Sequence, residues 1–148
     1  MRAVVQRVSR ASVRVDGEVV GEIGKGLLVL AAFAPGDGEE ELSWMASKLA
    51  GLRIFPDEDG LMNRSTRDAG GALLVVSQFT LYGDVSRGRR PSFIGAADPE
   101  EAERLYDRFL ELCEGTEVPV ESGEFGAMME VELANDGPVT LVVDREAS

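Results

Sequence analysis

The sequence predicts a single α+β domain over residues 1–148, in which largely antiparallel β-sheets form a barrel-like, layered core packed against two main helices. Three observations support this fold class. Strand-like runs outnumber helical ones, and the first two strands flank a strong hairpin signal at Asp16-Gly17. A chain of 148 residues with 44% hydrophobic residues is also long enough to bury a real core as one domain.

The first half of the chain alternates between strand and helix patterns. Residues 11–23 alternate apolar and charged side chains around Asp16-Gly17, and the apolar run 26–33 indicates a buried strand. The period then changes to that of a helix behind an acidic first turn, which suits the helix dipole. The residues that recur at helical spacing are Leu42, Met45, Leu49 and Leu52, and the following 56–60 (PDEDG) is a predicted turn.

A central strand and a second helix are predicted next. Residues 72–76 (ALLVV) are apolar throughout, which is typical of a strand covered on both faces. Asp98 is a candidate helix cap, Pro99 fits the first helical position, and Glu101 completes a pattern similar to a capping box. The predicted buried stripe of this helix is Ala102, Leu105, Tyr106, Phe109 and Cys113.

The last third contains strands predicted around Val118–Val120, Met129–Leu133 and Val139–Val143. The segment 135–138 (Asn-Asp-Gly-Pro) between the last two predicts a hairpin turn. Pro138 stands where the returning strand should begin, and a proline cannot donate to a β-ladder. A Gly-Pro bond can also be cis at a cost of only about 0.5–1 kcal/mol. The segment is therefore either a plain turn or an unusual backbone surface.

The composition excludes several kinds of chemistry. The chain contains no histidine, so Ser-His-Asp catalysis, Cys-His catalysis and His-ligated zinc are impossible. The single Cys113 excludes an intramolecular disulfide and is expected to be an inert, buried thiol. The N-terminal segment is not a secretory signal, and no apolar stretch approaches the roughly 20 residues of a membrane helix. We therefore expect a cytoplasmic protein without membrane partners.

Three local clusters of polar side chains carry alternative interpretations. A net charge of −12 argues against a general nucleic-acid binder. One Gly-containing loop nevertheless contains three arginines, which are either solvated side chains or a contact for phosphate groups. Polar residues also end the central strand, where functional groups are often mounted, although many strands end in this way. The acidic runs fall at helix starts and in a turn, so we expect no metal site. The loop arginines are Arg87, Arg89 and Arg90, and the strand-end residues are Ser77, Gln78 and Thr80.

The chain resembles the bacterial D-aminoacyl-tRNA deacylases, also called D-tyrosyl-tRNA deacylases. The similarity runs nearly end to end, and two separated motifs, SQFT and NDGPVT, occur in the expected order and spacing. The family commonly has an acidic residue where this chain has Met128. Alternation of side chains along the strand puts Met128 on the face opposite Met129, so we expect the pocket to keep its shape. Any role of the family's acidic side chain at this position is not carried over to this chain. The matching blocks are residues 4–30, 52–63, 73–84, 87–93 and 123–140.

The resemblance implies a homodimeric hydrolase of the ester that joins a D-amino acid, or glycine on tRNA(Ala), to the tRNA 3′ end. Such an enzyme recycles tRNA, maintains chiral quality control in translation, and needs no cofactor. In the family, a cis Gly-Pro bond reaches into the partner's pocket and its carbonyl oxygens reject L-aminoacyl esters, which is specificity by exclusion. Carried over, Gly137 and Pro138 form this filter, and Arg7 is the side chain that braces it.

The resemblance also assigns the catalytic segment and its pocket. The backbone amides of Gln78, Phe79 or Thr80 are suitable donors for a developing oxyanion, and Ser77 lines the pocket. Thr80 is either the nucleophile or a positioning group that leaves the substrate's own ribose 2′-hydroxyl to assist water. We favour the second mechanism because no histidine exists to activate Thr80.

Three further residues are implied in substrate binding, each with core packing as the alternative. Phe125 and Met129 match positions that hold the terminal adenosine and shape the pocket, and Ala102 lies on the second helix, where core filling is the other role. The loop of Arg87, Arg89 and Arg90 becomes a candidate contact for the tRNA backbone, which would reconcile an RNA substrate with the acidic chain.

Two other functions compete with the deacylase. A non-catalytic dimeric tRNA-binding module could retain the tRNA contacts without turnover, and a metal-dependent hydrolase or nuclease would need clustered carboxylates. The intact SQFT and GPVT motifs favour the enzyme, with tRNA rather than DNA as its partner.

Overall fold

The computed structural model describes residues 1–148 and contains eight strands, two α-helices and one short 3₁₀ turn. The strands are β1 (Arg2–Val15), β2 (Glu18–Ile23), β3 (Gly26–Ala32), β4 (Phe55–Pro56), β5 (Met62–Arg64), β6 (Ala72–Ser77), β7 (Val120–Ser122) and β8 (Glu130–Asp144). The helices are α1 (Glu39–Gly51) and α2 (Pro99–Glu114), and the 3₁₀ turn is Phe79–Tyr82.

The main sheet is mixed and nearly closes into a barrel. Its strand order is β2-β1-β3-β6-β7, with β8 paired along β1. The β1–β2, β1–β3 and β1–β8 pairs are antiparallel, whereas β3–β6 and β6–β7 are parallel. The two ends of the sheet approach so closely that a Cβ on Gly21 of β2 would lie 2.4 Å from the Ser122 carbonyl oxygen of β7. The predicted α+β class with a barrel-like core is confirmed.

The core lies on both faces of this sheet. A cluster of 22 buried residues fills the space between the sheet and the two helices, and a second cluster of 7 lies on the opposite face. Along β6, Leu73 and Val75 belong to the larger cluster and Leu74 and Val76 to the smaller one. The strand is therefore buried on both faces, and its apolar sequence was a sound basis for predicting a central position.

Both helices follow their predicted patterns, with one error at a cap. The α2 stripe from Ala102 to Cys113 is buried as predicted. Pro99 is the first helical residue, but the Asp98 side chain makes no capping hydrogen bond, so the predicted cap is wrong. Asp98 is exposed, so water can satisfy the first amides of the helix in place of its carboxylate, and Asp98 contributes only its carbonyl oxygen, to the Ala102 amide at 2.8 Å.

The predicted hairpin at residues 135–138 is also wrong. Both flanking runs belong to the single strand β8, which pairs antiparallel with β1 from Glu130 to Asp144. The ladder passes from Gln6–Thr140 to Val8–Asn135, so residues 136–139 stand opposite Arg7 alone. This extra chain length bulges out of the ladder while the strand continues in the same direction. We call residues 136–139 the Gly-Pro bulge.

Neither helix is long and apolar enough to span a membrane. The longer one, α2, has 16 residues and presents charged side chains opposite its buried stripe.

Candidate functional site

The SQFT segment, residues 77–80, joins the end of β6 to the 3₁₀ turn. Ser77 pairs with Ala31 of β3, and the Gln78 amide donates to the Ala31 carbonyl oxygen at 2.8 Å, which ends the ladder. The 3₁₀ turn then begins at Phe79, so the amides of Phe79 and Thr80 have no acceptor within the turn. Phe79 and Thr80 are exposed. Two backbone donors of adjacent residues are thus available at the end of a buried strand.

Arg2 holds the 3₁₀ turn in place. Its Nη1 donates to the Leu81 carbonyl oxygen at 2.9 Å, and its guanidinium lies 4.9 Å from the centre of the Tyr82 ring. Its Nε also donates to Asp144 Oδ1 at 2.7 Å. Burial raises the pKa of Tyr82 to about 12, so this ring stays neutral beside the cation at ordinary pH. Sequence reasoning did not identify Arg2, because its partners lie 79 and 142 residues away.

The Thr80 hydroxyl has no base beside it. The Gln78 side-chain amide donates a hydrogen bond to Thr80 Oγ1. An amide N–H is a donor and cannot remove the hydroxyl proton, and the chain has no histidine. The geometry therefore fits Thr80 as a positioning group better than as an activated nucleophile.

The end of β7 lies beside the SQFT segment, because β6 and β7 are parallel and end at the same edge. The Gly123 amide donates to the Val75 carbonyl oxygen at 3.1 Å, and the buried Tyr106 hydroxyl donates to the same oxygen at 2.8 Å. Phe125 packs against Tyr106 with ring centres 5.9 Å apart and is half-buried. A Cβ on Gly123 would lie 2.7 Å from the sulfur of Met129, so Met129 covers this turn.

The same contacts bear on the core-packing alternatives. Phe125 and Met129 are both half-buried and pack against the core while remaining partly accessible, so the structure is compatible with either role. Ala102 is different, since only 7% of it is exposed and it belongs to the larger core cluster. Its position favours core filling over substrate contact. Burial raises the pKa of Tyr106 to about 12, which keeps its hydroxyl available as a donor.

The three loop arginines follow the 3₁₀ turn and are exposed. Asp84 and Ser92 close the base of their loop through two backbone hydrogen bonds of 2.7 and 2.9 Å. Arg87, Arg89 and Arg90 are exposed, and none takes part in the ion pairs of the chain. The loop therefore presents three guanidinium groups without an ion-pair partner, seven to ten residues after Thr80.

The Gly-Pro bulge is held by two side chains. The Asn135 amide closes it, since Asn135 Oδ1 accepts from the Val139 amide at 2.8 Å and Nδ2 donates to the Val139 carbonyl oxygen at 3.1 Å. Arg7 fixes its other end, donating from Nε to the Asp136 carbonyl oxygen at 2.8 Å and from Nη1 to the Ile54 carbonyl oxygen at 2.6 Å. Sequence reasoning identified Arg7 but not Asn135, whose side chain was assigned only to a turn.

The Gly137–Pro138 peptide bond in this bulge is cis. Gly137 has φ +152°, and a Cβ there would lie 2.7 Å from the Val139 nitrogen, so only glycine fits. Both Gly137 and Pro138 are exposed. The chain thus presents a cis Gly-Pro backbone outward, on a bulge that Asn135 and Arg7 hold in place.

The bulge and the SQFT segment are far apart within one chain. In the strand register, Ser77 pairs with Ala31 of β3 and Ala31 pairs with Ala3 of β1, whereas the Gly-Pro bulge lies opposite Arg7. The four residues from Ala3 to Arg7 span about 13 Å along the strand at roughly 3.3 Å per residue. The two motifs therefore do not meet in one copy of the chain.

The remaining reactive groups do not form a second centre. No three His, Cys, Asp or Glu side chains converge closely enough to hold a metal ion. Cys113 is buried, and burial raises the pKa of its thiol to about 12. The predicted inert role of this thiol agrees with its environment.

The fold and this site define a histidine-free α+β domain whose candidate functional groups are mainly backbone atoms. The family model described as D-Tyr-tRNA(Tyr) deacylase matches residues 4–144. The chain therefore belongs to the D-Tyr-tRNA(Tyr) deacylase family, whose members are hydrolases of an ester bond, and the resemblance inferred from its motifs is confirmed.

Curated relatives agree along nearly the whole chain. A D-aminoacyl-tRNA deacylase of Symbiobacterium thermophilum is 60% identical over 146 residues, which cover 99% of this chain and 97% of that protein. A D-aminoacyl-tRNA deacylase of Desulfatibacillum aliphaticivorans is 57% identical over 144 residues, covering 97% and 99%. The chain is thus similar to these enzymes from end to end.

Two solved structures are similar in fold. One is titled c-Myc DNA Unwinding Element Binding Protein and superposes with a TM-score of 0.93 at 44% identity, covering 99% of this chain and all of the other. The second is titled as a probable eukaryotic D-amino acid tRNA deacylase, with a TM-score of 0.83 at 22% identity and 97% and 98% coverage. At that identity the second likeness concerns the fold alone.

Proposed function

We propose that this chain hydrolyses the ester bond between a D-amino acid and the 3′-terminal ribose of tRNA. The observation that carries the proposal is the exposed SQFT segment, where the amides of Phe79 and Thr80 lack an acceptor within their turn. Such donors stabilise the oxyanion that forms when an ester carbonyl is attacked. Membership of the deacylase family supplies the substrate class.

In the proposed reaction, water attacks the ester carbonyl carbon, and the bond to the ribose 3′-oxygen breaks. The proton lost by the water passes through the substrate's 2′-hydroxyl to the leaving 3′-oxygen. The amides of Phe79 and Thr80 hold the negative charge of the intermediate, while the Thr80 hydroxyl, held by Gln78, positions the ester. This assignment is supported by the absence of any base next to Thr80.

The alternative, with Thr80 as nucleophile, is distinguished by substitution. If Thr80 only positions groups, Thr80→Ala retains a substantial part of its D-Tyr-tRNA turnover, and quenched wild-type reactions contain no acyl-enzyme. Loss of nearly all turnover together with a trapped acyl-threonine in the wild type would overturn this mechanism.

The proposed chiral filter requires a second copy of the chain. The Gly-Pro bulge lies about 13 Å along β1 from the level of Ser77, by strand spacing, and therefore cannot line its own SQFT segment. In a homodimer, the exposed cis Gly137–Pro138 backbone of one copy enters the pocket of the other and occupies the space that an L side chain would need. Arg7 and Asn135 keep this backbone rigid.

Glycine has no side chain to be refused by such a filter, so we also propose that Gly-tRNA(Ala) is a substrate. These activities would recycle tRNA and enforce homochirality in the cytoplasm, where translation takes place. Ser77, Phe125 and Met129 line the proposed pocket, with Phe125 against the terminal adenosine, and Ala102 supports it from the core.

The loop of Arg87, Arg89 and Arg90 is proposed to contact tRNA phosphates. Its support is the lack of any ion pair for these side chains in a chain of net charge −12. Each phosphate contact releases counterions, so tRNA affinity should fall as salt rises. An affinity that does not change with salt would contradict this role. We expect no corresponding function on DNA.

The proposed activity is tested with purified protein, D-Tyr-tRNA and EDTA. The proposal predicts release of D-tyrosine at the same rate with and without the chelator. No release would favour a non-catalytic tRNA-binding module, and release that EDTA abolishes would favour a metal hydrolase. Sedimentation equilibrium of the same sample should give twice the mass of one chain, and a monomer would contradict the cross-subunit filter.

A further inference from the structure

The side chains of Phe79 and Phe93 form an exposed aromatic pair beside the SQFT segment. Their ring centres lie 5.1 Å apart at an interplanar angle of 71°. Phe79 is 53% exposed and Phe93 37%. The neighbouring Val85 and Ile94 are 69% and 91% exposed, so apolar surface continues around the pair. The hydrolytic mechanism uses only the backbone of Phe79 and leaves this surface without a role.

The pair is fixed by the backbone around it. Phe93 directly follows Ser92, whose amide and carbonyl oxygen both pair with Asp84. A Cβ on Gly83 would lie 3.0 Å from the Phe93 ring, so that ring rests against the end of the 3₁₀ turn. Phe79 begins the same turn. The two rings are therefore held in one position without being covered.

Positive charge lies within short reach of the pair. Arg90 is three residues before Phe93, which is at most about 10 Å of extended chain. Arg87, Arg89 and Arg90 have no carboxylate partner in the chain. Aromatic faces next to unpaired guanidinium groups match the chemistry of single-stranded nucleic acid, whose bases stack on the rings while its phosphates meet the arginines.

We propose that the Phe79–Phe93 pair stacks a base of the single-stranded CCA end of tRNA upstream of the terminal adenosine, while the arginine loop contacts the phosphates. This inference rests on the proposed function, because it takes tRNA as the substrate. This contact lets the enzyme bind every tRNA independently of the sequence outside the CCA end, since base stacking tolerates any base.

The test is a binding measurement, so it does not depend on turnover. Fluorescence anisotropy compares deacylated tRNA with the same tRNA lacking its CCA end. Phe93→Ala should weaken binding of intact tRNA at least about fivefold, the lower end of what one stacked base contributes, and leave the truncated tRNA unchanged. Phe93→Tyr keeps the aromatic face and should bind like the wild type. Leu61→Ala, at a residue between β4 and β5 that is 61% exposed, is the matched control.

Three results would overturn the proposal. Phe93→Ala could bind both RNAs as the wild type does, it could lose affinity for both equally, or it could change the sedimentation mass, in which case the surface belongs to a contact with a second copy. Failure of the proposed hydrolysis has a different signature, namely intact D-Tyr-tRNA after incubation with a wild type that still binds tRNA through its CCA end.

Discussion

Replacing Asn135 by alanine removes the side chain that closes the Gly-Pro bulge. The substitution leaves the Val139 amide and carbonyl oxygen without the partners that they have at 2.8 and 3.1 Å. Val139 is half-buried and packs against the larger core cluster, so water replaces these bonds incompletely. Two lost hydrogen bonds at about 0.5–1.5 kcal/mol each predict that the free energy of unfolding falls by about 1–3 kcal/mol.

Without the Asn135 side chain the Gly-Pro bulge becomes more mobile, and selectivity between the two esters should fall. If the cis Gly137–Pro138 backbone rejects L-aminoacyl esters, its loosening should lower the ratio of kcat/KM for D-Tyr-tRNA to that for L-Tyr-tRNA. A loss of about 1.4 kcal/mol in discrimination corresponds to a tenfold lower ratio. We expect a fall of that order, mainly through faster hydrolysis of the L-ester.

The assays are urea denaturation and steady-state deacylation of both esters. Asn63→Ala is the matched control, because the exposed Asn63 of β5 makes side-chain hydrogen bonds only to Asp57 and Arg53. It should change neither selectivity nor stability by more than about 1 kcal/mol. An Asn135→Ala protein as stable and as selective as this control would refute a role of Asn135 in closing the bulge.

Four other substitutions or conditions give further tests. Arg7→Lys should lower D-over-L selectivity in the same kinetic assay, because one ammonium cannot replace a fork that binds two carbonyl oxygens, and unchanged selectivity would count against the bracing role. Arg2→Ala should reduce kcat for D-Tyr-tRNA roughly tenfold through the lost anchor on the 3₁₀ turn, the equivalent of about 1.4 kcal/mol; wild-type turnover would contradict this. Tyr106→Phe should cost about 0.5–1.5 kcal/mol in urea denaturation, because the Val75 carbonyl oxygen loses its hydroxyl donor but keeps the Gly123 amide, and a neutral result would refute it. Stability should also fall as pH rises above about 9. Burial raises the pKa values of Cys113 and Tyr106 to about 12 in the folded chain, so the unfolded chain releases these protons at lower pH. Urea denaturation midpoints that stay constant between pH 8 and about 11 would exclude this.

Much of the fold could be predicted because its signals are local. The α2 stripe repeats at helical spacing, and the apolar β6 sequence reports burial on two faces. The parallel pairs β3–β6 and β6–β7 could not be predicted in the same way. These parallel pairs depend on connections through α1 and α2 that bring distant segments together, and no local sequence pattern predicts them.

The hairpin error has a specific cause. Asn-Asp-Gly-Pro has the same local chemistry whether the chain reverses or only bulges, because both need a tight turn with an unusual glycine conformation. The difference lies in the partner. Both halves of β8 pair with β1, which is more than 110 residues away in sequence. Only the identity of that partner strand distinguishes the two structures.

The candidate site was predictable to a similar extent. The SQFT segment and the arginine loop are contiguous in sequence and could be identified from residue type and position. Arg2 and Phe93 could not, since their roles come from contacts with Leu81 and Phe79 that only the folded chain creates. The separation of the Gly-Pro bulge from the SQFT segment likewise follows from strand register.

We propose above that the cis Gly137–Pro138 backbone makes this deacylase selective for D-aminoacyl esters. The most direct test is the hydrolysis of D-Tyr-tRNA and L-Tyr-tRNA by the wild-type protein at equal concentrations, followed as release of free tyrosine. If the wedge excludes L side chains, we expect rapid release from the D-ester and release from the L-ester at least about a hundredfold slower, equivalent to about 2.7 kcal/mol. Comparable rates for the two esters would contradict it.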